Sequence, residues 1–163
     1  MGLSTNVESI LSGARRTARR AGVVGDLVLF APTTVPICTV VGGDIHVHAL
    51  YAKETTVFGA GATTITLSLT CAISGTVVPI AGAGVACANA TVEALITITG
   101  AVGVAPTLFD AAARGVGIPN MTNIQIYVPG SIGMIVGGAT NAGLLDWTII
   151  YTPLHATAQI IVV

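Results

Sequence analysis

From Thr63 to Thr70 the chain alternates without a break: Ile65, Leu67 and Leu69 fall on one side, Thr64, Thr66 and Ser68 on the other. A period of two belongs to a strand with one buried face. A helix cannot use it, because helical side chains return to one face only every ~3.6 residues. The same period runs through the preceding stretch, where Ile45, Val47, Ala49 and Tyr51 share one side and Asp44, His46, His48 and Leu50 the other. Gly42-Gly43 and Gly59-Ala60-Gly61 supply the turns. Val41 to Leu69 therefore reads as two half-buried strands. Their inward residues, Ile45, Val47, Ala49, Ile65, Leu67 and Leu69, are expected in a core, and their outward residues, His46, His48, Thr64, Thr66 and Ser68, are candidates for a subunit interface.

Alternation continues along the chain. Strands are expected at Leu27–Phe30, at Ile37–Val41 after a piece that Pro32 and Pro36 make edge-like, at Thr76–Ile80, Val85–Ala88, Thr91–Thr99 and Thr122–Val128 (through Ile124, Ile126 and Val128), and at Ile132–Val136. Two more close the sequence: Leu144–Thr152, with Leu145, Trp147, Ile149 and Tyr151 aligned, and Ala158–Val163. Residues 101–119 read as a surface loop with one helical turn. Roughly nine to eleven short strands with glycine-rich turns, and no helical pattern between them, argue an all-β fold: an antiparallel β-sandwich over residues 25–163. A jelly roll is the specific expectation, which periodicity does not separate from other Greek-key sandwiches.

Residues 1–24 differ from the rest. They carry four of the six basic residues, Arg15, Arg16, Arg19 and Arg20, and Val7, Ile10, Leu11 and Ala14 recur at helical spacing behind a possible Asn6 cap. A short basic N-terminal arm or helix is expected, with the four arginines on one helical face as a positive stripe. That stripe suits phosphates, or acidic patches on a partner protein, or a solvated tail. The absence of interleaved aromatics counts against nucleic acid.

Charged residues are only 8% of the chain, against about 25% in ordinary globular domains. Monomers seldom expose wide uncharged surfaces, so a homo-oligomer is expected. Although 53% of residues are hydrophobic, Thr, Ser and Gly interrupt every apolar stretch before a membrane-spanning length of about 18 residues. A membrane barrel would want aromatic girdles, and aromatics are 4%. The opening Met-Gly-Leu-Ser-Thr-Asn-Val-Glu, with its basic residues after the first apolar ones, lacks the order of a secretory leader.

Candidate chemistry is sparse, and no enzymatic activity is expected. No serine sits in a recognisable nucleophile motif, and neither Gly59-Ala60-Gly61 nor Gly82-Ala83-Gly84 opens a lysine-bearing phosphate loop. His46 and His48, two apart on a strand, point the same way and could share a zinc or nickel ion with His155 or with symmetry copies; the plainer expectation is two outward polar side chains and no metal. Cys38, Cys71 and Cys87 lack metal spacing and read as small buried hydrophobes. Trp147 with Tyr151 suits either a sugar-stacking platform or, more simply, core.

Gly42-Gly43 followed by the alternating Asp44–Leu50, a Thr55-Thr56-Val57 step, Gly59-Ala-Gly-Ala-Thr-Thr64 with Ile65-Thr66-Leu67, and Trp147-Thr-Ile-Ile-Tyr-Thr-Pro-Leu154 resemble small virion structural proteins of tailed bacteriophages. The resemblance spans Val35–Leu69 and Leu144–Val163 and rests on strand and turn patterns. It implies a head decoration or cement protein: a β-sandwich that forms a homotrimer on the capsid surface of the virion, bridges major capsid protein subunits, and needs no cofactor, nucleic acid or membrane. Arg15, Arg16, Arg19 and Arg20 would then meet acids of the major capsid protein. The competing readings are a jelly-roll coat protein whose arm binds genome, and a sugar-binding or enzymatic tail component.

Overall fold

Alternating stretches become antiparallel ladders in a computed structural model that describes residues 14–23, 26, 33–59, 63–82, 84–87, 90–99, 104–109, 125–138 and 142–163. The described residues form twelve strands and no helix: β1 Arg16–Arg20, β2 Thr33–Val41, β3 Ile45–Thr56, β4 Thr63–Cys71, β5 Val77–Pro79, β6 Val85–Ala86, β7 Leu95–Thr97, β8 Thr107–Phe109, β9 Gln125–Tyr127, β10 Gly130–Gly138, β11 Leu144–Pro153 and β12 Gln159–Val162. Two six-stranded antiparallel sheets pack as a β-sandwich. Sheet A runs β1-β11-β3-β7-β8, with β9 also on β3; sheet B runs β12-β2-β10-β4-β5, with β6 also on β4.

The core lies between the sheets. Ile45, Leu50, Ile96, Trp147 and Ile149 of sheet A meet Ile37, Ile65, Leu67, Ile132 and Met134 of sheet B in one continuous apolar cluster. Each such side chain, fully buried, contributes about 1.5–3 kcal/mol. Alternation predicted these inward faces correctly on β4 and β11.

On β3 it did so only in part. Ile150 pairs with Ala49 but Tyr151 pairs with Val47, so His48 is an extra residue, a β-bulge. The bulge reverses the phase of the strand. Beyond it Leu50, Ala52 and Glu54 turn inward, whereas Ala49, expected in the core, is buried outside the core cluster, and Tyr51 faces out. A similar inversion occurs on β9. Its pairing of Tyr127 with Ile45 puts Tyr127 inside and leaves Ile126 56% exposed, against the expected inward row.

Three further expectations are corrected. Thr91–Thr99 is not one strand: Ala94 N–H bonds back to Thr91 O and Glu93 takes a φ of 79°, so a turn precedes the three-residue β7. Pro36 lies within β2 rather than outside it. It sits where the β2–β10 register slips, beyond the last residue paired with β12, so its missing N–H removes nothing from that ladder. Arg16–Arg20 is a strand hydrogen-bonded to β11, not a helix, and the sandwich therefore begins before residue 25. The expected strand Leu27–Phe30, residues 1–13 of the arm and the helical turn near Asp110 lie outside the described residues.

The turn between β2 and β3 needs its glycines. Gly42 has φ 74°, and a Cβ there would press on the backbone of Thr157. The side where β1 and β12 approach is stitched across the two sheets. Tyr151 Oη accepts the Ile160 N–H at 3.3 Å, and Arg20 Nε donates to Val163 O at 3.1 Å.

Candidate functional site

A strand sends neighbouring side chains to opposite sides, so β1 divides the four arginines that a helix would have gathered. Arg19 lies opposite Thr148 on the outside of sheet A, while Arg20 lies opposite Trp147 on the inside. Arg20 is 7% exposed and already spent: its guanidinium grips both Asp26 oxygens, at 2.6 and 3.1 Å. Its burial and this internal pairing argue against the partner-binding role expected of it. Arg16, across from Tyr151, is exposed at the strand's start, and Arg15 lies close enough to His48 to lower that imidazole's pKa. The expected single stripe of four is replaced by Arg15 and Arg19 on the outer face of sheet A.

That face carries a hollow of about 500 Å³. Arg19, Thr148 and Tyr51 form one cross-strand row in it, Asp146 and Lys53 the next. Asp146 Oδ1 accepts the Gly22 N–H at 2.8 Å, and Lys53 meets Glu93 at 2.7 Å. Arg19 has no ion-pair partner among the described residues. Tyr51, Lys53, Asp146 and Thr148 were not singled out from sequence; the lone lysine in a low-charge strand was the available signal.

Further along the same face the His46 and His48 rings lie 4.3 Å apart, tilted by 46°, and His48 Nε2 meets Thr152 Oγ1 at 2.8 Å. His155 is turned toward Asp44, at 3.7 Å, and among the described residues no three His, Cys, Asp or Glu side chains converge on a possible metal position. Desolvation first, then the His46 and Arg15 charges, hold the His48 pKa below its ordinary value. Folding therefore favours the neutral ring. Its contribution to stability is complete above about pH 6.5 and declines as pH falls through the lowered folded-state value. Urea midpoints of the wild type should drop between pH 7.5 and 5 more than those of His48→Gln, whose amide still reaches Thr152. Equal pH slopes would refute this coupling.

Sheet B presents a different exterior. All the charged side chains among the described strands lie on sheet A; β2, β4, β5, β6, β10 and β12 carry none. Across sheet B one outward row reads Ile161, Thr39, Ser131, Thr70, Val77, with Ile161 and Val77 about half exposed at its ends. The five interface candidates therefore do not form one surface: His46 and His48 are outside sheet A, and Thr64, Thr66 and Ser68 outside sheet B. Nor is Ser68 available for a contact, being 1% exposed, and the Thr66 hydroxyl already donates to Gly82 O. Thr34 and Pro36 are exposed on this face, and Thr39, Thr70 and Ser131 are half-buried on it.

Trp147 is 1% exposed and belongs to the core with Tyr151, the simpler of the two readings of that strand face, and its ring is not presented as a sugar platform. Cys38 and Cys87 are buried, their thiols pushed up to about 12 by desolvation; the half-buried Cys71 is held below its usual value by hydrogen bonds from Ser74. Set against protein-family models, curated proteins and solved structures, the chain matches none.

Proposed function

We propose that the chain is a structural protein of a virus particle, a capsid decoration or cement protein that self-associates, as a trimer, and bridges neighbouring capsid subunits. The observation that carries self-association is the charge-free exterior of sheet B, five strands wide and ending in exposed Ile161 and Val77. Monomers seldom expose wide uncharged surfaces, and among the described strands of this sheet no charged side chain interrupts this one. Further copies of the same chain are the occupants that this surface fits, because each brings equally uncharged surface and the buried contact holds no unpaired charge. The capsid assignment is supported by the sequence resemblance over Val35–Leu69 and Leu144–Val163. Mechanically, such a protein adds buried area across joints between capsid subunits, and a trimer multiplies a modest single-site affinity through avidity.

Sedimentation of the native species tests it. The wild type should sediment as an oligomer at micromolar concentration and co-sediment with capsid shells. Thr39→Glu, which puts a charge in the middle of the outward row, should release monomers. A wild type that is monomeric would sink the self-association; an oligomer that ignores shells would sink the capsid role alone.

A further inference from the structure

We infer that the hollow on the outside of sheet A is a docking site for an acidic segment of a partner protein, with Arg19 as its anchor. The inference deepens the structural reading above, which requires a second protein to be bridged, and locates the contact on the face opposite the self-association surface.

The charges select the ligand. Asp146 spends one oxygen on Gly22 N–H, Lys53 is shared with Glu93, and Arg20 is turned to Asp26. Of the cations lining the hollow, Arg19 is left without an ion-pair partner among the described residues, beside the Thr148 hydroxyl and the Tyr51 ring. A guanidinium presents a planar fork that matches a carboxylate with two parallel hydrogen bonds, and a phenol ring offers apolar contact to the methylene stem of a glutamate. At about 500 Å³ the hollow has the volume of a small-ligand site, room for a few side chains. Arg15 continues the outer row of β1 beside His48, four residues from Arg19 and so roughly 13 Å away along the strand. An extended segment with carboxylates at that spacing would satisfy both arginines.

A nucleic acid fits less well. Its backbone carries a negative charge at every nucleotide, and a continuous strand passing Arg19 would run against the carboxylates of Asp146 and Glu93. One or two discrete carboxylates avoid that repulsion.

The probe is a short capped peptide with glutamates four residues apart, titrated into the whole wild-type protein at low salt and followed by the resonances of Tyr51. Shifts at Tyr51 are expected with the glutamate peptide and not with its glutamine counterpart. Arg19→Glu should weaken binding at least about tenfold, about 1.4 kcal/mol. Arg16→Glu, on the other side of β1, should leave it within about twofold. Binding that survives Arg19→Glu, shifts confined to regions away from Tyr51, or an oligothymidylate that binds as tightly as the peptide would overturn the proposal. Sedimentation of the same samples reports self-association separately, so failure of this site and failure of the structural reading are distinguishable.

Discussion

Replacing Trp147 by alanine should lower the unfolding free energy by about 3–5 kcal/mol, the range for emptying a large aromatic from a packed core. The indole is 1% exposed and sits among the largest fully buried side chains of the chain, paired across sheet A with Ala52 on one side and Arg20 on the other. Alanine neighbours such as Ala52 cannot reach into the vacated volume, so collapse would be limited. The indole nitrogen adds nothing to offset, since Trp147 Nε1 is buried without a hydrogen-bond partner among the described residues. Trp147→Phe should therefore recover much of the loss, costing less than about 3 kcal/mol. Urea denaturation of the three proteins measures this. An alanine variant of unchanged stability would place the ring at the surface and return a sugar-stacking role to consideration.

Arg20→Met should cost about 2–3 kcal/mol. That lies below the ~3–5 kcal/mol of breaking a fully buried ion pair by removing one partner, because Asp26 keeps 13% exposure and the Val23 N–H. The loss has two sources: a carboxylate left half-satisfied, and the Val163 main-chain oxygen at the end of sheet B released from the edge of sheet A. Adding Asp26→Leu to Arg20→Met should restore part of the stability, which a double-mutant cycle reads directly. Additive losses would mean that the pair is not coupled. The same variant separates two meanings of a basic N-terminus. A partner-binding Arg20 would lose binding without losing stability, whereas the geometry assigns it to the fold.

What could be read from sequence followed from what period-two patterning reports. Ile65, Leu67 and Leu69, or Leu145, Trp147, Ile149 and Tyr151, record the environment of one strand face, and strands with regular pairing keep that record intact. His48 shows where it stops. A bulge inserts one residue without a local signature, and every side chain after it changes face, so Leu50 and Ala49 exchange the places that alternation assigns them. The arginines fail for a different reason. Arg15, Arg16, Arg19 and Arg20 fit a helix by spacing, but the free edge of β11 offers backbone hydrogen bonds that local propensity does not know about. The hollow was least legible, because Arg19, Thr148 and Tyr51 come from three strands that only the pairing register aligns.

The division of charge between the two sheets means that the two exteriors answer to different solution variables. Contacts made through sheet B, with no ions to screen, would be governed by water released from apolar and hydroxyl surface, and would strengthen on warming from the cold. Contacts made through Arg15 and Arg19 on sheet A would be governed by the Debye length, long in dilute buffer and under about 10 Å above 0.1 M salt. In the assembly proposed above, self-association through sheet B would persist at salt concentrations that loosen a contact through Arg15 and Arg19.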